Sequence, residues 1–258
     1  MRDFTISTYR RYLQAMQAAG LFFWRIDDYM AAAVKPEKFC MIRHDVDRRP
    51  QHALVMARVE QEMGIVATYY FRMKPESFNA DIIKEIYQMG HEVGYHYESL
   101  SDADGDMAAA IADFEKNLGI MRKLGPVKTI SMHGRPFKPY DNRDIWRVKE
   151  NHNLLVSKYN ILGEVYLDID YSDIAYINDT GRNWTSGASN VRDKVFSNIK
   201  ADFANGEELL AYLQQGQHLK IVFQIHPERW AYSVGSYGIS FLHDLATNSV
   251  KFIMRLWR

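Results

Sequence analysis

The stretch FCMIRHDVDRRPQHAL, Phe39 to Leu54, sets the fold. It opens on four apolar residues, Phe39 to Ile42, and a short apolar run that ends in charge reads as a buried strand. Pro50 suits the first turn of a helix, and PQHALVMARVEQEMG carries that helix onward. A buried strand emptying into a helix is half of a parallel crossover unit. At the strand's end sit Arg43, His44, Asp45, Val46 and Asp47. Residues two apart on a strand share a face, so Asp45 and Asp47 point the same way. Two close carboxylates repel unless a proton or a cation lies with them, and a divalent metal is the natural cation. The plainer alternative is an exposed pair, one of them capping the helix at Pro50.

The same rhythm repeats along the chain. IVATYYF precedes the helix ADIIKEIYQMG, and EVGYHYE precedes DMAAAIADFEKNLGIMRKLG. VKTISMHG precedes the shorter NRDIWRVKE. LLVSKYN, EVYLDIDY and IAYINDTG then read as strands with little helix between them, and GEELLAYLQQG leads into LKIVFQIHPERW. Alternating strands and helices predict a parallel sheet with crossover helices. The expected fold is α/β, a single distorted (β/α) barrel of about seven strands, TIM-like, over residues 1–258. Residues 1–35 are expected as an N-terminal helical extension, with TISTYRRYLQAMQAAG its helix and Gly20 its stop, and LFFWRIDDYMAAA ambiguous. The polar segment from Gly181 to Gly206 reads as a long excursion, and a last helix is expected within Ser240 to Trp257.

Composition narrows the function classes. The 258 residues hold 32 Lys+Arg and 32 Asp+Glu, so no net field favours nucleic acid or an anionic membrane. No stretch is long or apolar enough to insert in a membrane, and the N-terminus lacks the apolar core of a signal peptide. The expected address is therefore cytoplasmic. Cys40 is the single cysteine, which excludes an intrachain disulfide and a cysteine-based zinc site.

The polar residues gather at strand ends. His44, Asp45 and Asp47 follow the first strand, and His96 and Glu98 follow EVGY. His133 and Arg135 follow TISM, and Asp168 and Asp170 follow EVYL. Asp179 follows IAYIN, and His226 and Glu228 follow IVFQI. Barrel active sites lie at that carboxyl rim. His91 and His96 are five apart and fall on opposite faces, so His96 is the candidate ligand and His91 a structural imidazole. His226, delivered by a strong strand and stopped by Pro227, suits a general acid.

In order, RHDVD, GHEVGYH, SMHGRP, YINDTGRNW and IHPERW resemble the motifs of the polysaccharide deacetylase family. This is carbohydrate esterase family 4, which includes chitooligosaccharide deacetylases. The likeness is nearest to deacetylase-like proteins of lipopolysaccharide O-antigen clusters and spans about Met41 to Trp230. It implies a distorted barrel and metal-assisted removal of an acetyl group from a sugar. It implies one divalent ion, zinc first among the candidates, and an acetylated amino sugar or glycan precursor as substrate. Carried over, Asp45 corresponds to the catalytic base, Asp47 and His96 to metal ligands, and His226 to the acid that protonates the leaving group. Asp179 corresponds loosely to the aspartate that orients that acid. The family's second metal histidine lies four residues after the first, where this chain has Leu100. Glu98 is the expected replacement ligand, with His133 the other candidate and otherwise a catalytic group. Arg135, Glu228 and Trp230 are expected as substrate contacts. Leu100 also leaves open a catalytically degenerate barrel that binds glycan or a biosynthetic partner. A third expectation is a hydrolase of a non-sugar amide.

Overall fold

The computed structural model describes residues 2–135, 138–184, 195–216, 218–232, 235, 237 and 238. Eight parallel strands form one sheet: β1 (Phe22–Trp24), β2 (Phe39–Val46), β3 (Thr68–Phe71), β4 (Glu92–Tyr97), β5 (Thr129–Met132), β6 (Gly163–Glu164), β7 (Ala175–Asn178) and β8 (Lys220–Ile225). Seven run in the order β6-β5-β4-β3-β2-β8-β7, and β1 pairs with the start of β2. The helices are α1 (Ile6–Ala18), α2 (Ile26–Ala31), α3 (Pro50–Glu62), α4 (Ala80–Gln88), α5 (Ser99–Asp102), α6 (Met107–Met121), α7 (Asp144–Arg147), α8 (Lys149–Ser157) and α9 (Gly206–Gln215). A single 3-10 turn, Pro227–Arg229, follows β8. This is the α/β, TIM-like distorted barrel of about seven strands that the sequence predicts. No ladder joins β6 to β7 among the described residues, so the barrel is incomplete. In the turns that connect these two strands, Tyr171 donates from its hydroxyl to the Val165 carbonyl at 2.9 Å.

Period-two alternation sorts the side chains between two layers. On β2, Cys40, Ile42 and Val46 enter the outer core beneath the helices, while Phe39 and Met41 enter the inner one. The same split places Val93, Tyr95 and Tyr97 outside on β4, and Ile221, Phe223 and Ile225 outside on β8. His44 also faces outward, where its Nε2 lies 2.7 Å from Glu60 Oε1. Tyr9 and Tyr69 both donate to that carboxylate. His91 is spent on backbone, accepting from Ala67 N and lying 3.1 Å from Ala57 O through Nε2. Both imidazoles are thus structural.

The first thirty-five residues are more than helix. Thr5 caps α1 by accepting from Thr8 N, and Gly20 ends the turn at φ 77°. β1 joins the sheet, and α2 closes the barrel's amino end. Its first amides donate to Thr68 Oγ1 and Glu92 Oε2, both at 2.9 Å. Two strand expectations fail. LLVSKYN is the end of α8 and its exit, and of EVYLDIDY only Glu164 is strand, because turns carry the rest. The closing helix expected in Ser240 to Trp257 and the middle of the polar excursion lie outside the described residues. Among the described residues no helix is long and apolar enough to cross a membrane.

Gly94 shows how tightly the inner layer packs. A Cβ there would stand 2.2 Å from Cε1 of Tyr70, whose ring is fully buried and whose hydroxyl lies 2.6 Å from Thr129 Oγ1. Gly94→Ala should therefore destabilise by roughly 1–3 kcal/mol, as overpacking does. Urea unfolding of the variant beside the wild type measures it, and an unchanged midpoint would contradict this packing.

Candidate active site

Four consecutive strands, β2 to β5, build the site through their register. Asp45 pairs with Tyr70 and Tyr70 with Gly94, so inward residues two steps further, Asp47 and His96, also share a level. β5 adds His133, whose amide donates to the Tyr97 carbonyl at 2.8 Å. Asp47 Oδ1 lies 3.5 Å from Nε2 of His96 and 3.5 Å from Nε2 of His133. One ligand atom from each of the three residues falls within 4.8 Å of the others.

Both imidazoles are turned by their other nitrogen. His96 Nδ1 lies 3.0 Å from the Ser131 carbonyl, and His133 Nδ1 lies 2.6 Å from Glu98 Oε2. An acceptor at Nδ1 assigns the proton there and leaves Nε2 with its lone pair toward Asp47. Two donors on a tetrahedral zinc, each about 2.0–2.1 Å from it, stand roughly 3.3 Å apart. The 3.5 Å spacings fit that requirement. Asp47 Oδ1 is buried and accepts no hydrogen bond, which also fits a carboxylate awaiting a cation. A divalent ion here would be held by Asp47, His96 and His133.

Glu98 is not in this trio, contrary to the sequence expectation. Its carboxylate accepts from Arg72 at 3.1 and 3.2 Å and pairs with Arg135 at 3.1 Å and Lys74 at 3.4 Å. Burial works to raise its pKa, but His133, Arg72 and Arg135 hold it well below the usual carboxylate range. It acts on the site through His133. Leu100, in the position of the expected histidine, is buried on α5 in the outer core.

Asp45 lies beside the trio, its Oδ2 3.8 Å from His96 Nε2. The Arg43 guanidinium forks onto it with Nε and Nη2 at 2.8 Å each, and Gln224 Nε2 donates at 2.6 Å. Burial opposes its charge, yet Arg43, His96 and His226 keep the carboxyl below its usual range. Arg43 is itself fully buried, its Nη2 donating to Ser131 at 2.6 Å and Tyr166 at 2.8 Å. Sequence reading missed Arg43 and Gln224. The signal was there, since Arg43 stands two residues before Asp45 on one strand face.

His226 arrives from β8. Its Nδ1 is 2.6 Å from Asp179 Oδ1 and its amide donates to Oδ2 at 3.0 Å. Arg229 Nη1 lies 2.9 Å from the same Nδ1 and donates to Asp179 Oδ1 at 2.9 Å, and the shorter contact to the carboxylate assigns the proton to Nδ1 and leaves Nε2 for the site. Burial and Arg229 lower the imidazole's pKa, but Asp179 and then Asp47 raise it above its ordinary value. Glu228 is buried beside this group, pushed up to about 7 by burial and by Asp47. Arg135 keeps some exposure beside Glu98. Trp230 departs from the expectation of a substrate contact: it is fully buried, and its indole donates to Asp179 Oδ2 at 2.8 Å. Asp168 and Asp170 are exposed and away from the site, bonding the backbone of Glu164 and Ser172.

No family model and no curated protein matches the chain. Among solved structures it is similar to the catalytic domain of peptidoglycan N-acetylglucosamine deacetylase from Eubacterium rectale. That likeness has 17% identity over 85% of this chain and 91% of that one, with a TM-score of 0.46. It is similar to a CE4 family pseudoenzyme from Bacillus anthracis, at 11% identity over 83% of this chain and 62% of that one, TM-score 0.42. A family 4 carbohydrate esterase from Bacillus anthracis shares 14% identity over 89% of this chain and 92% of that one, TM-score 0.36. The chain thus spans less than two thirds of the pseudoenzyme's length.

Glu98→Gln keeps the shape but weakens the acceptor at His133 Nδ1. Loss of such a partner costs about 10–100-fold in metal affinity. Zinc titration calorimetry should show that loss in Glu98→Gln, and no stoichiometric binding in His133→Ala. Full binding in His133→Ala would return the third ligand to Glu98.

Proposed function

We propose that this protein is a divalent-metal-dependent hydrolase that removes an acetyl group from an acetamido sugar or glycan precursor. The observation that carries the reading is the convergence of Asp47, His96 and His133 between a charged aspartate and an aspartate-braced histidine. The ion we assign is zinc, since two imidazoles and one carboxylate suit it. When bound there, such an ion polarises an acyl carbonyl and lets water act as a nucleophile at neutral pH.

The remaining work falls to the chain's own groups. Asp45 takes a proton from the attacking water, and its fork with Arg43 keeps it ionised to do so. His226, protonated through Asp179, gives a proton to the departing amine from Nε2. Glu98 fixes the His133 ring, and the partly exposed Arg135 stands where a sugar would lie, while Glu228 is buried beside the His226 group, contrary to the expectation of a substrate contact. With His133 as third ligand, Leu100 no longer argues for a degenerate site. The likeness in sequence motifs to polysaccharide deacetylases supports the acetamido sugar. Within that class we favour a cytoplasmic, nucleotide- or lipid-linked precursor of O-antigen or another surface polysaccharide.

The test is acetate release from a panel of N-acetylated sugars by zinc-loaded protein, with metal content measured alongside. Asp45→Asn should lose at least about 100-fold in kcat, the usual scale for removing a general base, while keeping its zinc. Activity should also fall on the alkaline side as His226 loses its proton. Against the lowering by burial and by Arg229, the contact with Asp179 moves that fall to higher pH. No acetate release across the panel, with zinc bound stoichiometrically, would exclude the sugar deacetylase reading.

A further inference from the structure

The first residues of the chain lie against the back of the His226 group. Ala231 N donates to the Phe4 carbonyl at 2.8 Å and Ile6 N to the Ala231 carbonyl at 3.0 Å, so Thr5 bridges Ala231 as a short parallel strand would. The Phe4 ring stacks on Trp184 at 5.3 Å and meets the edge of Trp230 at 5.5 Å. Tyr9 closes on Trp230 from α1 at 5.3 Å. Asp3 anchors the arm, accepting from Tyr12 and from Gly206 N at 2.7 Å each and from Trp184 Nε1 at 3.3 Å. Phe4 holds this place at φ 57°, a conformation that residues other than glycine rarely adopt and that only over-determined surroundings retain.

What the arm braces is a polar relay. Trp230 passes its one donor to Asp179 Oδ2, and Asp179 uses Oδ1 on His226 Nδ1. We propose that Asp3 to Ile6 form a positioning strap for the general acid, with Phe4 acting through Trp230 and Asp179 to fix the His226 imidazole. The role given to His226 rests on the deacetylase reading above. The strap itself rests only on these contacts. It gives the N-terminal arm, which none of the sequence motifs covers, a task at the opposite end of the barrel from the one α2 closes. Trp230, Asp179 and Phe4 are positioning residues, since none of them reaches the reacting atoms.

The charged groups facing His226 are Asp45 and Asp47 beyond β2, Asp179 after β7, and Glu228 and Arg229 in the 3-10 turn. Trp230→Phe keeps the ring packing and deletes the donor. Asp179 then spends more of its charge on the imidazolium, and the proton affinity of His226 should rise about threefold, half a pKa step. Phe4→Ala opens the stack instead. The imidazole should loosen from Asp179, its Nδ1 proton should exchange faster, and its proton affinity should fall about threefold. Nitrogen-15 NMR of the full, zinc-loaded chain reads the tautomer, exchange and titration of His226 directly. It needs no turnover, so failure of the deacetylase reading leaves this test intact. Phe4→Leu substitutes if the alanine variant does not fold. A lower melting temperature with wild-type His226 signals in the Phe4 variant would overturn the strap, even if Trp230→Phe shifts them.

Discussion

The site depends on a buried ion pair, Arg43 with Asp45, on one face of β2. Both residues are almost wholly out of water. Removing two charges from water costs several kcal/mol each, and their attraction offsets this only when geometry is good and the remaining donors are satisfied. Here the fork is bidentate, Gln224 adds a third donor to the carboxylate, and Ser131 and Tyr166 take Arg43 Nη2, while Nη1 is buried with no hydrogen-bond partner among the described residues. The Tyr166 ring also covers the guanidinium at 4.5 Å. Such a pair is weak evidence of stability. It does fix the ionisation of Asp45 beside two imidazoles and a second aspartate, which no hydrophobic replacement could do.

From that pair the electrostatics of the mouth follow. Asp45 and Asp47 both keep their charge, Asp47 because His133, His96 and His226 outweigh the burial that opposes it. Burial lowers the proton affinity of His96, but the two negative charges, Asp45 and Asp47, raise it. The same field attracts a metal cation, which would replace that proton. Glu98 is treated differently. Its three cationic neighbours absorb its charge, so it serves as an acceptor for His133 and not as a competing ligand.

The fold was legible because its signal is local. Apolar runs ending in charge, with Pro50 or Gly90 as punctuation, mark β2 and β4 without any knowledge of neighbours. The strand reading of LLVSKYN failed because periodicity over seven residues cannot separate a buried strand from a short amphipathic helix. Within the site, Asp45, Asp47, His96 and His226 were legible as strand-end residues. The choice between Glu98 and His133 was not. Both lie at a rim, and the cations around Glu98, with Arg72 just past β3 bonding both of its oxygens, decide which of them is already occupied. Trp230 misled for a similar reason: an aromatic next to a catalytic histidine suggests a sugar platform, yet Phe4, far away in sequence, has covered it.

Leu100 then has a physical explanation. A second ligand four residues after His96 requires the chain beyond β4 to turn back over the barrel mouth. Here β4 ends at Tyr97, Glu98 stands at the head of α5, and the helix carries Leu100 away into the core beneath the helices. The vacated direction is met from the adjacent strand, since β5 runs parallel to β4 in register with His96 opposite Ser131. His133, two residues past Ser131, therefore rises on the same inner face, two residues beyond the level of His96. The ligand set becomes His96 of β4 with Asp47 and His133, the residues that directly follow β2 and β5, so their spacing is set by the backbone ladders. A loop ligand can relax when its metal leaves. Ligands set at the ends of β2, β4 and β5, which β3 joins into one continuous ladder, keep their spacing, so this arrangement would bind its ion with little reorganisation and would leave the acid and base in register with it.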